Sequence, residues 1–294
     1  MLNTSSSLLE NSYGYIWLNG KFVEWKNAKI HILTHSLHYS GSVFEGEKAF
    51  NGKIFRIHDH TDRLFRSAEL LKLEIPYSKD EIIQASKELL SKNNFQNAYI
   101  RPLVWRSTEA LMVRPVGTHI NVMIAAWEPR RKPNSNPMHL MVSRWRKHSE
   151  DSYPIQCKSS SQYAMFVISI MEANEKGYED ALLLDPYGNI AECTTSNIFF
   201  IKQNKLFTPQ ISFCLNGITR QTIISIAESL CVEVYEADIT TEDMHSFEAC
   251  FITGTAIGLK DVGSITYNDR KISFCTHNLY DTLKSKYLDL VNGK

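Results

Sequence analysis

Two Asn-Gly pairs, Asn19-Gly20 and Asn51-Gly52, constrain the fold of this chain more than any other feature. Each pair separates two runs of alternating apolar and polar residues: Tyr15–Leu18 and Lys21–Val23 for the first, Val43–Phe50 and Lys53–Ile57 for the second. Asn-Gly favours a two-residue type I′ turn because both turn positions need positive φ. The sequence therefore predicts two antiparallel β-hairpins near the start of the chain.

Helical and strand patterns then mix along the whole chain without a strict strand–helix–strand rhythm. The helical patterns are His60–Leu71, Lys79–Leu90, Tyr163–Lys176, Thr219–Leu230 and Thr276–Val291. Ser78 can cap the pattern that begins at Lys79. The strand patterns are Ala98–Arg106, Ile120–Trp127, His139–Trp145, Ala181–Asp185, Ile198–Ile201 and Cys250–Thr253. This mixture predicts an α+β fold and not a doubly wound sheet.

The length of 294 residues favours about two domains. The segment Glu128–Met138 is polar, contains three prolines and lacks periodicity, which is typical of a linker. We therefore predict a small N-terminal α/β domain at 1–127, a linker at 128–138, and a larger mixed-sheet domain at 139–294.

Charge and hydropathy exclude several classes of protein. The 32 basic and 32 acidic residues cancel, so we expect neither a nucleic-acid partner nor a membrane partner. No basic residue precedes Lys21, and the apolar run Tyr163–Met171 is too short to cross a bilayer. The six cysteines form no C-x-x-C motif and fit a reducing compartment. The sequence predicts a soluble, cytoplasmic protein.

The sequence contains no pattern that indicates a metal site, a common nucleotide-binding site or a serine-hydrolase site. His31, His35 and His38 would share a helical face, and His58 and His60 a strand face, but no cysteine or carboxylate completes a zinc-like set. The chain contains no G-x-G-x-x-G, P-loop or G-x-S-x-G motif. We expect no metal.

Lys158 is the first candidate for chemistry, since small hydroxyl residues surround it between an extended stretch and a helix. Carbonyl chemistry needs such a lysine in a desolvated place, although a solvated surface lysine fits this pattern too. Glu192 either faces a cleft, where it would pair with a protonated ring nitrogen, or is an exposed strand glutamate. Arg56 either grips a phosphate or is an exposed hairpin arginine.

Two glycine-containing turns are candidates for binding an anion. Asn216–Arg220 opens a helical pattern, and first-turn N–H groups with the Thr219 hydroxyl suit an anion. Thr253–Ala256 follows an apolar strand. Each is equally compatible with an ordinary loop.

The order of these features resembles the fold-type IV pyridoxal-phosphate enzymes, and most closely the branched-chain amino acid aminotransferases. Glu192 follows Lys158 by 34 positions (192 − 158), and Gly-Ile-Thr-Arg and Gly-Thr-Ala come after it. The resemblance extends from Trp17 to about Leu288. Its most specific segments are LHYSGSVFEG (Leu37–Gly46), AYIRPL (Ala98–Leu103), KSSSQY (Lys158–Tyr163), AECTTSNIFF (Ala191–Phe200) and NGITRQTII (Asn216–Ile224).

The resemblance implies pyridoxal 5′-phosphate as cofactor and a role for each matching residue. Lys158 would form the internal aldimine and move the proton between the substrate Cα and the cofactor. Tyr163 would hold the cofactor's phenolic oxygen, and Glu192 would keep its pyridine nitrogen protonated. The residues that match the phosphate site are Arg56, Ile218, Thr219 and Thr255.

The resemblance also implies the substrates and the assembly. The residues that match the substrate wall are Tyr39, Phe44, Gly46 and Arg101, and those that match the carboxylate-binding turn are Thr255 and Ala256. The implied reaction is ping-pong transamination between Leu, Ile or Val and 2-oxoglutarate, giving branched 2-oxo acids and glutamate. It further implies a homo-oligomer, at least a dimer.

The chain departs from the family pattern at a few positions, and other functions stay open. Ser40 and Ser159–Ser161 stand where the family often has glycine, and Cys193–Ser196 replace a glycine-containing stretch. The charged linker Trp127–Pro137 differs from the family's interdomain loop. The alternatives are a D-amino acid aminotransferase, an aminodeoxychorismate lyase, or a non-catalytic binding protein of the same fold.

Overall fold

A computed structural model describes residues 13–129 and 136–294. It divides into two compact units: Met1–Lys132 with Lys158–Ser161, and Pro133–Cys157 with Gln162–Lys294. Most of the predicted linker, residues 130–135, lies outside the described residues. Within the described part, no helix is long and apolar enough to cross a membrane.

The first unit contains an antiparallel sheet of seven strands among the described residues. The strands follow the order β2-β1-β7-β6-β4-β5, and β3 also pairs with β6. Its elements are β1 (Tyr15–Leu18), β2 (Lys21–Glu24), α1 (His35–Tyr39), β3 (Ser42–Phe44), β4 (Glu47–Phe50), β5 (Lys53–Ile54), α2 (Ile57–Leu70), α3 (Lys79–Lys92), β6 (Ala98–Arg106) and β7 (Ile120–Trp127).

Both predicted hairpins are confirmed. Asn19 and Gly20 have φ values of 47° and 85°, and Asn51 and Gly52 have values of 50° and 76°, as a type I′ turn requires. The predicted strand Val43–Phe50 is wrong as a single element, because the structure divides it into β3 and β4. The break lies opposite Pro102, which has no N–H to donate to the ladder.

Helices α2 and α3 follow the predicted apolar spacing. Ser78 and Glu81 form a capping box at the start of α3, which satisfies two backbone N–H groups that the helix leaves unpaired. Helix α2 buries Leu64 and Ala68, as predicted. It begins at Ile57 and not at His60, because Arg56 in the left-handed region starts the helix one turn earlier.

The second unit contains a mixed sheet of nine strands among the described residues, in the order β10-β9-β8-β15-β14-β11-β12-β13, with β16 on β15. The pairs β8–β9, β8–β15 and β12–β13 are parallel. The elements are β8 (Met138–Arg146), α4 (Ser160–Glu175), β9 (Asp180–Leu184), β10 (Ile190–Cys193), β11 (Asn197–Lys202), β12 (Lys205–Pro209), α5 (Ile218–Ser229), β13 (Val234–Ala237), β14 (Ala249–Gly254), β15 (Gly258–Tyr267), β16 (Arg270–Ser273) and α6 (Asn278–Val291).

The core of the second unit lies on the central strands. Phe200, Ile252 and Ile265 are fully buried there, and they come from three neighbouring strands. The pairing of β11 with β14 places Asn197 opposite Thr253. This register matters for function, because both residues belong to segments that the sequence marks as candidate sites.

Candidate active-site residues

Lys158 is held through its backbone in the first unit. Its N–H donates to Ser67 Oγ on α2 at 3.0 Å, and its carbonyl accepts from Phe44 N on β3 at 3.1 Å. The next residue, Ser159, forms an isolated antiparallel bridge with Val43. The half-buried Lys158 side chain places Nζ 5.0 Å from the centre of the Phe44 ring. The backbone of Lys158 is thus fixed on two sides, while its amine lies over an aromatic face.

Arg101 lies on the same face as Phe44 and Gly46. Its guanidinium carbon is 4.6 Å from the Phe44 ring centre, and Nη2 donates to Tyr99 Oη at 3.1 Å. Among the described residues no carboxylate pairs with Arg101, and its buried Nε has no hydrogen-bond partner. A Cβ on Gly46 would lie 2.0 Å from Tyr99 Oη, so glycine is required for this packing.

Arg101 also lines a cavity of about 630 Å³ in the first unit. Its walls are largely apolar, and hydroxyl groups of Ser42 and Ser160 stand at one side. The apolar wall residues include Leu37, Leu103, Trp105, Met123 and Trp127. The Arg101 guanidinium therefore faces a largely apolar cavity, which Lys29 also lines.

A buried ionic cluster follows Phe44 along the chain. The Glu45 carboxylate accepts from Arg63 Nε at 2.6 Å, from Arg63 Nη2 at 2.9 Å, and pairs with His60 Nδ1 at 2.7 Å. Burial would raise the pKa of Glu45, but the charges of Arg63 and His60 outweigh it and hold that pKa far below its usual range. Burial, with the nearby Glu45 charge, raises the pKa of Glu47 well above its usual value. Within the described residues, Glu47 Oε2 has no hydrogen-bond partner.

Arg56 and Tyr39 lie at helix ends in the first unit. Arg56 precedes α2 with φ 50°, and two of its N–H groups donate to Asp59 at 2.9 and 3.0 Å. Tyr39 ends α1, is 42% exposed, and has its ring 4.8 Å from that of His35.

Glu192 is the centre of a buried polar network in the second unit. Oε1 accepts from Lys147 Nζ at 2.6 Å, and Oε2 accepts from Leu215 N at 3.2 Å and Asn197 Nδ2 at 3.5 Å. Lys147 also donates to Gln162 Oε1 at 3.2 Å. Glu192 is not an exposed strand glutamate, since 5% of its surface is exposed.

The Leu215 contact brings the start of α5 next to Glu192. Gly217 precedes the helix and makes no side-chain cap, while Ile218 and Thr219 form the first buried turn. A Cβ on Gly217 would lie 2.1 Å from Asn197 Oδ1, so the approach of Asn197 requires glycine there. The N-terminus of α5, a place that favours anions, is thereby held beside the Glu192 network.

The turn after β14 and Tyr163 are two further candidates in the second unit. Thr255 and Ala256 lie in a three-residue turn between β14 and β15, with Ala256 exposed. Thr253 Oγ1 is buried and has no hydrogen-bond partner among the described residues. The Tyr163 ring packs edge-on against Phe166 at 5.1 Å, and Lys147 Nζ lies 4.7 Å from the same Phe166 ring.

Comparison with known proteins decides the family. A family model described as amino-transferase class IV matches residues 42–265. The chain belongs to the class IV aminotransferase family. A probable branched-chain-amino-acid aminotransferase of Rickettsia typhi is 49% identical over 285 residues, which is 97% of this chain and 99% of that protein. The branched-chain-amino-acid aminotransferase of Pseudomonas aeruginosa is 36% identical, with 96% and 94% covered.

Comparison with solved structures supports the same family. The branched-chain aminotransferase of Thermoproteus uzoniensis with norvaline gives a TM-score of 0.91 at 30% identity, with 96% of each chain covered. The T.th. branched-chain amino acid aminotransferase complexed with N-(5′-phosphopyridoxyl)-L-glutamate gives 0.90 at 35% identity, with 96% and 95% covered. The predicted resemblance to the branched-chain aminotransferases and the predicted fold-type IV α+β class are confirmed.

The residues of this aminotransferase fit pyridoxal phosphate in their chemistry. A carboxylate offers about four acceptor positions, and the three hydrogen bonds to Glu192 leave capacity for a ring N–H. A helix N-terminus and the buried Thr253 hydroxyl suit phosphate or carboxylate oxygens. The amine of Lys158 suits an aldehyde carbon.

Sequence reasoning missed Lys147, Gln162, Asn197 and Tyr99. Lys147 ends the basic stretch Arg144–Lys147, and nothing in that stretch distinguishes the one lysine that is 3% exposed from its exposed neighbours. Asn197 could have been found from Gly217, because a glycine before a helix pattern often marks a close approach.

Proposed function

We propose that this chain transfers the amino group between L-leucine, L-isoleucine or L-valine and 2-oxoglutarate, with pyridoxal phosphate as cofactor. The observation that carries the proposal is the similarity, over almost their full length, to relatives named branched-chain-amino-acid aminotransferases. The residues that would perform the chemistry belong to the family segments in both units.

Pyridoxal phosphate, when bound, supplies an aldehyde that takes up the amino group and a ring that withdraws electrons from the substrate Cα. We assign to Glu192 the task of keeping the proton on the pyridine nitrogen, which its burial and its ionic partner Lys147 support. Ile218, Thr219 and Thr255 would hold the phosphate with backbone and hydroxyl donors. Arg56 would add a charged donor to the phosphate, because a guanidinium suits phosphate oxygens.

Lys158 would bond to the cofactor carbonyl and then carry the proton to and from the substrate Cα. Its fixed backbone supports this role, since a proton carrier must keep its position through two half-reactions. Tyr163 would hold the phenolic oxygen of the cofactor. Thr255 and Ala256 would bind the α-carboxylate through the turn after β14.

We assign the dual substrate specificity to Arg101 and the apolar residues around it. A branched side chain gains from the apolar wall, while the γ-carboxylate of glutamate needs a cation, because burying it unpaired is costly. Arg101, which has no carboxylate partner among the described residues, would supply that cation. Phe44, whose ring centre lies 4.6 Å from the guanidinium carbon, would form the substrate wall with Tyr39 and Gly46. Each substrate would then use a different part of one pocket.

The test is a substrate panel with purified holoenzyme. We expect glutamate formation from 2-oxoglutarate with leucine, isoleucine and valine, and initial rates that follow ping-pong kinetics. Comparable or faster turnover of D-alanine would favour the D-amino acid aminotransferase, and release of pyruvate from aminodeoxychorismate would favour the lyase. A protein that binds the cofactor but turns over none of these would be a non-catalytic relative.

We further propose a homodimer in the cytoplasm. Large apolar side chains of α4 and of the segment before β7 are exposed in the single chain: Val167, Ile168, Met171, Leu111, Met112, Val113 and Val116. Exposed apolar clusters of this kind favour a protein partner. None of the six cysteines forms a disulfide, which fits a reducing compartment. Light scattering after gel filtration tests the dimer, and a monomer at micromolar concentration would contradict it.

A further inference from the structure

We infer that Lys147 is a positioning residue that holds Glu192 ionised and oriented for the pyridine nitrogen of the cofactor. This inference rests on the proposed function, because Glu192 has a ring nitrogen to serve only if pyridoxal phosphate binds. Lys147 itself would touch neither cofactor nor substrate and would act through Glu192 alone.

The first argument is burial. The side chains of Lys147 and Glu192 are 1% and 6% exposed, and their charged atoms are 2.6 Å apart. A carboxylate without an ionic partner at such a place would favour its neutral form, because burial penalises charge. Lys147 therefore stabilises the ionised form of Glu192 before any cofactor arrives.

The second argument is the geometry of the carboxylate. Lys147 Nζ donates a hydrogen bond to Glu192 Oε1, while Leu215 N and Asn197 Nδ2 donate to Oε2 at longer distances. Lys147 is itself fixed, because Gln162 accepts a second hydrogen bond from it and Gln162 is tied to the Cys157 carbonyl at 2.9 Å. The carboxylate is thus oriented by one short contact on Oε1 and two longer contacts on Oε2.

When the cofactor is bound, one proton can reside either on its pyridine nitrogen or on the Glu192 carboxylate. In a hydrogen bond between a pyridine nitrogen and a carboxyl group, the proton stays on nitrogen if the carboxylate is the weaker base. The Lys147 ammonium lies 2.6 Å from Glu192 Oε1 and attracts a negative charge on that carboxylate. Without that ammonium, the proton would move to Glu192, and the ring would lose the positive charge that withdraws electrons from the substrate.

The test uses the holoenzyme and Lys147→Met, with Lys176→Met as the matched control, since Lys176 forms an exposed ion pair with Glu172 in the same unit. Visible absorbance of bound pyridoxal phosphate is titrated with pH. The titration follows the proton on the nitrogen that Lys158 contributes to the bound cofactor. We expect Lys147→Met to raise the midpoint of this titration by about one pH unit, because that nitrogen is more basic next to a neutral ring than next to a positively charged one. We also expect kcat to fall about tenfold or more with little change in the KM for leucine, and no change in the control.

A double-mutant cycle with Glu192→Gln separates this role from a structural one. If Lys147 acts through Glu192, Lys147→Met changes neither the midpoint nor kcat in the Glu192→Gln background. The double variant also keeps the test possible if Lys147→Met alone fails to fold, because it removes both buried charges together. In that case its midpoint is compared with that of Glu192→Gln alone.

Three results overturn the inference. They are a wild-type midpoint in Lys147→Met, equal effects of Lys147→Met in both backgrounds, and a loss of thermal stability with no spectral change. If the wild-type protein binds no pyridoxal phosphate or transaminates no branched-chain amino acid, the proposed function fails instead. The wild-type spectrum and rate therefore distinguish the two failures.

Discussion

Replacing Glu47 by Gln should stabilise the protein more and more as the pH rises. Glu47 is 1% exposed, lies beside the charged Glu45, and has a carboxyl oxygen without a partner among the described residues. Burial and Glu45 raise its pKa well above the usual value, and the Arg63 charge only partly opposes them. The folded protein therefore holds a neutral Glu47 acid over a pH range in which the unfolded chain has already lost that proton.

The sign and magnitude follow from this linkage. A raised folded-state pKa gives full stability below the unfolded pKa and loses it as pH rises towards the folded value. Each pH unit in that window costs the wild-type protein about 1.4 kcal/mol. Gln has the shape of the neutral acid and no proton to lose, so the variant should escape this cost. The gain in unfolding free energy should be near zero at about pH 4, should grow by about 1.4 kcal/mol per pH unit above that, and should level off once the pH passes the folded-state pKa of Glu47.

Urea unfolding of the apo-protein at about pH 5, 6, 7 and 8 measures the effect through the difference in unfolding free energy between variant and wild type. Glu69→Gln, at an exposed glutamate of α2, is the matched control and should give a pH-independent difference. A constant difference for Glu47→Gln across this range would refute the reasoning. A variant that is destabilised most at high pH would show that Glu47 is an ionised, paired carboxylate.

Two further substitutions test the first unit. Ser40 has φ 52° and ψ 26°, and its hydroxyl makes no hydrogen bond within the described residues. Ser40→Gly should therefore relieve left-handed strain and stabilise the folded protein by about 1 kcal/mol. Calorimetry should show this as a rise of about 2 °C in Tm. An unchanged or lower Tm would contradict that reading. Arg101→Leu should raise the KM for glutamate and 2-oxoglutarate about ten- to a hundredfold, since a charged hydrogen bond is worth about 1.5–3 kcal/mol, and change that for leucine little. Arg66→Leu, at an exposed arginine of α2, is the control, and equal losses for leucine and glutamate would argue for a structural Arg101.

The elements that local chemistry determines could be predicted from the sequence. The Asn-Gly hairpins and the capped helix α3 depend on residues adjacent in the chain, and they lie where the pattern predicts them. Strand β15 was missed because Lys260, Asp261 and Ser264 interrupt its apolar alternation, although Lys260 and Ser264 are buried in the sheet. Strands β12 and β13 were also missed: both are short, and β13 is an edge strand whose parallel pairing with β12 joins segments far apart in the chain.

Some residues of the candidate site could likewise be predicted from the sequence, and others could not. Lys158, Glu192 and Gly217 stand in segments that a single sequence can mark, because their residue types suit carbonyl, ring-nitrogen and phosphate chemistry. The ionic partners Lys147, Arg63 and His60 could not be predicted, because they are charged residues that become buried only through tertiary packing. Sequence periodicity cannot distinguish a buried lysine with an ionic partner from an exposed one, and the difference decides what Lys147 does.

The most direct test of the proposed transamination is one half-reaction without any acceptor. Holoenzyme is mixed with L-leucine in the absence of 2-oxoglutarate, and release of 4-methyl-2-oxopentanoate is measured against the concentration of chains, for the wild type and for Lys158→Ala. We predict a burst of about one equivalent per chain from the wild type and none from a folded, cofactor-bound Lys158→Ala variant, since only the lysine amine carries the proton. No burst from the wild type, or an equally fast one from Lys158→Ala, would contradict the account.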